Sequence, residues 1–334
     1  MATTPTILIA GAGSIGCYVG GALALAGRKV KLLLRPRLAE ELRTHGLSIS
    51  DYSGRARHLA QGQFGLATDP QALADADIIL VTVKSAATPD IAAQIRLHAR
   101  PDACIISFQN GIGNAAVLLE ACDGRAVFPG MVGFNVVPLG NGKFHQATDS
   151  ALYVPKQDPA LAPLFNVVGL ACRAHDDMQS VLWGKLLLNL NNSLNALSGL
   201  SLHDQLMDRR WRVLLAGMMS EALAAMARDG ISPARMTPIP ARALPYIMRL
   251  PTPIYQRLAA ATLKIDRSAR SSMAEDLTLG RLTEIDYLQG AVIALAAKHG
   301  LSAPLCERVT RAVRDAETTK AGQPNLSPDA FAAA

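Results

Sequence analysis

Short apolar runs set the rhythm of the first half of the chain. Thr6–Ala10 (TILIA), Ile78–Val83 (IILVTV) and Ala103–Phe108 (ACIISF) are uninterrupted and β-prone, as strands buried on both faces require, and Lys29–Leu34 reads as a fourth strand of the same sheet. Helical patterns fall between them, from Ser14 to about Gly27 and over Leu38–Thr44, Thr88–Ala99 and Asn114–Ala121. Leu47–Ser50, Ala56–Ala60 and Phe64–Ala67 read as short strands. Ala126–Val137 and Lys143–Pro155 read as longer antiparallel strands around an Asn141-Gly142 hairpin turn. From Ser180 onward only helical patterns remain. Ser180–Leu200 reads as one long helix, Trp211–Asp229 stops at Gly230, Glu284–His299 stops at Gly300, and Pro304–Thr319 is the last. The pattern predicts an α/β chain: a doubly wound domain with an antiparallel extension over residues 1–178, an all-helical domain over 179–320, and a loose tail over 321–334 rich in Gly, Pro and Ala.

The junction of the first strand and helix adds chemistry. Gly11-Ala12-Gly13-Ser14-Ile15-Gly16 is a GxGxxG turn placed after a strand and before a helix, the context in which it binds a dinucleotide. Gly11 permits the tight turn, Gly13 lets a pyrophosphate approach the backbone, and Gly16 lets helix and strand pack closely. The helix start at Ser14 and Ile15 offers N–H groups to the phosphates. The first domain is thus expected to be a Rossmann-type fold. At the end of the second strand no acid stands to bond a ribose 2′-hydroxyl; Arg35 and Arg37 are there instead. Guanidinium suits a 2′-phosphate, which predicts NADPH as cofactor, with Arg35 the better candidate.

Bulk properties narrow the class further. The 334 residues are 50% hydrophobic and 18% charged, with 4% aromatic, so the core is aliphatic. No apolar run is long enough to span a membrane and no signal-peptide pattern opens the chain, which predicts a cytoplasmic protein. Cys17, Cys104, Cys122, Cys172 and Cys306 are scattered without CxxC spacing and read as reduced thiols; no metal is expected. The net charge of +6 comes from basic residues interleaved with apolar ones, not from a polybasic tract. It favours an anionic small-molecule substrate over nucleic acid. The apolar C-terminal helices are compatible with a homodimer.

Four places hold polar residues that packing alone does not require. Lys84 ends a strand on the carboxyl edge, where ligands bind in such sheets, and Asn110 follows the next strand in QNGIG. As plain structure these would be a solvated lysine and an Asx turn. Lys185 and Asn189 lie four apart on one helix face, continued by Asn192 and Ser193; asparagine is a poor helix former and an odd choice for a surface stripe. Finally, Ser271-Ser272-Met273 precedes Thr283-Glu284, where Thr283 has the chemistry of a helix cap.

Taken together, GAGSIG, VTVK with Lys84, QNGIG with Asn110, WGKLLLN with Lys185 and Asn189, and SSMAEDLTLGRLTEID with Ser272 and Glu284 resemble the ketopantoate reductases (2-dehydropantoate 2-reductases) over nearly the whole length. The resemblance implies NADPH-dependent reduction of a 2-oxo acid in pantothenate biosynthesis, with the active site in a cleft between the domains. It implies that Arg35 and Lys84 contact the cofactor phosphates and that Asn110 lies near the nicotinamide and substrate. Lys185 would be the general acid, and Glu284 would pair with it and bind the far hydroxyl. Asn189 and Ser272 would hold the oxo acid, joined by Asn192 or Ser193. The chain departs from the family where NLNNSLNALSGL lacks the usual proline after the second asparagine, which bears on which oxo acid is taken. The alternatives are a reductase of another 2-oxo acid and a non-catalytic NADP-binding sensor.

Overall fold

Alternate residues of a strand face opposite ways, and the first half of the molecule is built on that alternation. In a computed structural model, which describes residues 4–122, 124–259 and 269–331, the chain forms two compact units, Met1–Met178 and Gln179–Ala334. The first unit opens with β1 (Thr6–Ala10), α1 (Ser14–Leu25), β2 (Lys29–Leu33), α2 (Pro36–His45), β3 (Leu47–Asp51), β4 (Ala56–Leu59) and β5 (Gly65–Ala67). It continues through β6 (Ile78–Val81), α3 (Thr88–His98), β7 (Cys104–Ser107), α4 (Asn114–Ala121) and β8 (Val127–Pro129). The order β5-β2-β1-β6-β7-β8 gives a six-stranded sheet in which every pair is parallel, with the reversal of strand order between β1 and β6. That is the doubly wound dinucleotide-binding topology. Ile7, Ile9, Leu80 and Ile106 pack on the α1 side, while Leu8, Ala10, Ile79, Val81 and Ile105 pack with Ala92 and Ile95 of α3 and Leu118 of α4.

Helix α1 is apolar all round because sheets lie on two sides of it. A Cβ at Gly20 would meet Leu32 and Ile9, and one at Gly21 would meet Ile49 and Leu47 of β3. The remaining elements of this unit are β9 (Met131–Val132), β10 (Val136–Gly140), β11 (Lys143–Gln146), β12 (Leu152–Pro155), α5 (Leu161–Phe165) and β13 (Cys172–His175). They complete a four-stranded sheet, β10-β11-β3-β4, and a three-stranded one, β13-β12-β9. The two long antiparallel strands expected here are shorter and serve three sheets. β8 joins the main sheet in parallel, and only β10 and β11 form the hairpin, around Asn141 (φ +50°) and Gly142 (φ +68°). Gly130, against the Phe108 ring, and Gly133, against Ser150 and Ala151, mark where the chain leaves one sheet for the next.

Helices α6 (Met178–Asn189), α7 (Asn191–Ser198), α8 (Leu202–Met207), α9 (Arg209–Arg228), α10 (Leu244–Arg249), α11 (Thr252–Ala259), α12 (Ser272–Thr278), α13 (Ile285–Lys298) and α14 (Pro304–Thr319) follow. α9 packs on α10, α13 and α14. Its Glu221 carboxylate accepts the Leu305 and Cys306 N–H groups at 2.8 and 2.9 Å and so caps α14. The single helix expected over Ser180–Leu200 is two. The Leu190 carbonyl at the break accepts Ser193 Oγ and Gln289 Nε2, both at 3.0 Å, so side chains replace the helical ladder there.

The tail expected to be loose from Ala321 is anchored as far as Phe331. Gln323 Nε2 donates to the Ala196 carbonyl at 3.2 Å and Leu326 N–H to the Leu197 carbonyl at 2.8 Å. Phe331 is buried against Trp211, ring centroids 6.1 Å apart. A composition rich in Gly and Pro did not reveal these partners, because they lie on α7 and α9. Phe331→Ala is expected to destabilise the helical unit by about 3 kcal/mol, read from the shift of its urea unfolding midpoint.

Candidate active site

The glycine turn works as a set of close approaches. Gly11 has φ +77°, and a Cβ there would collide with the Val83 side chain. Gly16 would meet Thr82 Oγ1 and Ile9 Cγ2 at 2.6 and 2.8 Å, so its hydrogen is what seats α1 on the sheet. Gly13 differs: nothing lies within 4 Å of the place its Cβ would take. It precedes Ser14, Ile15 and Gly16, whose N–H groups open α1 without a side-chain cap or an acid in the first turn. Open space in front of unpaired N–H groups at a positive helix end fits the phosphates of a dinucleotide. Arg35 and Arg37 flank the start of α2, both exposed, with no ion pair among the described residues.

Two loops continue this edge of the sheet. Lys84 is exposed after β6, and Asn110 is half-buried after β7. Between them lies a network of buried side chains that sequence reading missed: Ser85, Thr88, Ser107, Gln109 and Asn114. Asn114 Nδ2 donates to the Asn110 carbonyl at 2.7 Å and to Ser85 Oγ at 3.0 Å, and Ser85 Oγ donates to the same carbonyl at 2.8 Å. Gln109 Nε2 donates to Thr88 Oγ1 at 2.7 Å and to the Val83 carbonyl at 3.2 Å, while Gln109 Oε1 accepts from Ser107 at 3.0 Å. Thr88 Oγ1 lies 2.7 Å from the Ser85 carbonyl and 2.9 Å from Asn114 Oδ1. The available signal was a run of small polar residues straight after two apolar strands, but nothing in one sequence shows that they meet.

In the helical unit, Lys185 is half-buried on α6. Burial pulls its ammonium down to about 8, and the nearby Glu284 carboxylate partly offsets that shift. Glu284 is the half-buried N-cap residue of α13, yet its side chain makes no capping bond; Thr283 Oγ1 accepts the Ile285 N–H at 3.2 Å instead. Its negative charge acts on the lysine against the effect of burial. Asn189 and Asn192 are half-buried, and their side-chain amides make no hydrogen bond among the described residues. Ser193 does not belong with them. It is fully buried, donates to the Leu190 carbonyl and accepts from Gln289, so no ligand reaches its hydroxyl. Ser272 is exposed at the first position of α12. Its neighbour Ser271 caps that helix and ties it to α7, donating to the Asn192 carbonyl at 3.0 Å while its N–H reaches Asn195 Oδ1 at 2.9 Å.

Among the described residues no group of His, Cys, Asp and Glu could hold a metal ion, and no helix is long and apolar enough to cross a membrane. The glycine geometry separates two effects. Gly13→Ala is expected to keep the parent melting temperature while weakening nicotinamide-dinucleotide binding about ten-fold, and Gly11→Ala to lower the melting temperature itself. Thermal unfolding and cofactor fluorescence titration check both.

Comparison with known proteins gives consistent matches over both units. The ketopantoate reductase PanE/ApbA family model matches residues 7–159, and the model of that family's C-terminal part matches residues 177–317. A 2-dehydropantoate 2-reductase of Halobacterium salinarum is 28% identical over 322 residues, covering 93% of this chain and 98% of that protein. The crystal structure of a PanE/ApbA family ketopantoate reductase from Ralstonia eutropha JMP134 superposes with a TM-score of 0.80 at 26% identity, over 94% of this chain and 99% of that one. D-mandelate dehydrogenase with NADH and anilino(oxo)acetate shares the fold, with a TM-score of 0.78 at 19% identity over 94% and 99% of the two chains. With the parallel sheet, the glycine turn and the helical unit all matched, the chain belongs to the ketopantoate reductase family of oxidoreductases.

Proposed function

We propose that this protein reduces 2-dehydropantoate to pantoate with NADPH. The observation that carries the proposal is the half-buried Lys185, brought to about 8 by burial and held up in part by Glu284. A ketone that accepts a hydride gathers negative charge on its oxygen, and an ammonium tuned to that range both stabilises the charge and gives up a proton. When bound, NADPH supplies the hydride. Lys185 donates the proton to the C2 oxygen, and Glu284 keeps the lysine protonated at neutral pH and accepts from the substrate's far hydroxyl. Asn189, Asn192 and Ser272 hold the oxo-acid end. Gly11, Gly13, Ser14, Ile15 and Gly16 seat the pyrophosphate, Lys84 adds positive charge beside it, and Asn110 attends the nicotinamide and substrate carbonyl.

The exposed Arg35, with no acid near it at the end of β2, supports NADPH over NADH. Reduction of a different 2-oxo acid is the second reading, favoured by one observation: the Ser193 hydroxyl is bound within the protein, so this part of the pocket is apolar or supplied by Asn192 alone.

Steady-state oxidation of NADPH and NADH with 2-dehydropantoate and a panel of 2-oxo acids tests the proposal. Wild type should favour NADPH, and Arg35→Ala should erase most of that preference by raising the KM for NADPH about ten-fold or more, with NADH little changed. Lys185→Ala should lower kcat by about 100-fold or more; full activity in that variant would remove the lysine from the mechanism. The acid must carry its proton, so reduction should decline as pH rises through about 8 and hold steady below it, as read from log(kcat/KM) against pH.

A further inference from the structure

We propose that Ser85, Thr88, Gln109 and Asn114 are positioning residues for the nicotinamide half of the cofactor site, an inference that rests on the proposed nicotinamide-dependent function. Five of the eight buried polar side chains among the described residues of the first unit are gathered in this one network (Ser85, Thr88, Ser107, Gln109 and Asn114). The two core clusters packed on the sheet are otherwise apolar. Dehydrating so many polar groups is unfavourable unless each finds a partner, and here they do. Both N–H bonds of Asn114 and both of Gln109 are used, and the Thr88 hydroxyl is the hub between them.

The location gives the network its meaning. Loops at a sheet edge can satisfy their carbonyls with water, so burial of polar side chains beneath them serves a need other than solvation. In a doubly wound sheet the two halves of a dinucleotide lie on either side of the reversal in strand order. The glycine turn after β1 and the arginines after β2 belong to one half; the loops after β6 and β7 belong to the other. The network joins those last two loops. Two donors hold the Asn110 carbonyl, Gln109 holds the Val83 carbonyl, and the Ala87 N–H holds the Lys84 carbonyl at 2.9 Å. The peptides that carry Asn110 and Lys84 thus have one orientation before any ligand arrives. Such preorganisation matters because small misplacements of a binding group are expensive in rate. Thr88 and Ser85 are too deeply buried to touch a ligand themselves.

Thr88→Val keeps the shape and removes the hub, and Thr88→Ser restores the hydroxyl. We expect Thr88→Val to weaken NADPH binding about ten-fold while changing the affinity for adenosine 2′,5′-bisphosphate, which lacks the nicotinamide half, by less than about three-fold. Thr88→Ser should return NADPH affinity to near the wild-type value. Ser85→Ala, which deletes one of the two donors to Asn110, should move the same way and serves if the valine variant fails to fold. Equal losses for NADPH and the bisphosphate, unchanged NADPH affinity in both variants, or no rescue by serine overturns the proposal. Wild-type protein that binds NADPH but reduces no 2-oxo acid overturns the proposed reaction alone, because the ratio of the two affinities still decides the role of the network.

Discussion

Holding an ammonium partly out of water is the constraint around which the helical unit is arranged. Lys185 lies on an apolar helix, where desolvation favours its neutral form and brings it to about 8. An uncompensated buried lysine would lose its proton well below that. The compensation comes from Glu284, almost a hundred residues further along the chain, held at the start of α13. Three local features keep it there. Thr283 performs the capping that Glu284 would otherwise perform. Glu317 of α14 accepts the Thr283 N–H at 2.7 Å. Gln289, one turn into α13, reaches the carbonyl at the α6–α7 break and so ties the glutamate's helix to the lysine's helix. The break is thus part of the same arrangement. It frees a carbonyl for Gln289 and turns α7 so that Asn191 and Gln205 pair through both amide groups.

The first unit solves a different problem, which is to leave backbone bare at a helix start while the sheet beneath stays rigid. Hydrogen in place of a side chain accomplishes this at Gly11 and Gly16, where neighbours crowd in, and at Gly13, where space is left open. Thr82 fastens the turn from the adjacent strand, its hydroxyl 3.1 Å from the Gly11 carbonyl. Further along the same edge the rigidity comes from hydrogen bonds between side chains. One edge of one sheet therefore uses two devices: steric closeness where the chain turns sharply, and a closed polar network where two separate loops must be held in register.

Local patterns were read well wherever a single segment contains its own cause. The strand–glycine turn–helix at the N-terminus, α4 and α14 lie where their apolar spacing and their Gly or Pro boundaries put them. Segments whose form depends on distant partners were read less well. Ala126–Val137 is apolar enough for one long strand, yet it is shared among three sheets as β8, β9 and the start of β10. Ser180–Leu200 has continuous helical periodicity, yet a glutamine from α13 occupies the carbonyl where it breaks. The tail looks featureless until α7 and Trp211 supply its contacts. Ser193 follows the polar stripe of α6 in sequence but turns inward beyond the break.

The sequence alone pointed to the family and its class of chemistry: a glycine turn set between a strand and a helix, and motifs shared over both units with the ketopantoate reductases. These are decided by residue identity and short spacing, which local sterics and charge make legible. The tertiary structure decided which of the polar residues are available and which are tied up. Ser193 and Asn192 are neighbours in the chain, but the hydroxyl of one is satisfied internally while the side-chain amide of the other makes no hydrogen bond among the described residues. Burial and hydrogen-bond partnership depend on what folds against a residue, and those partners come from segments too far away for any local pattern to encode.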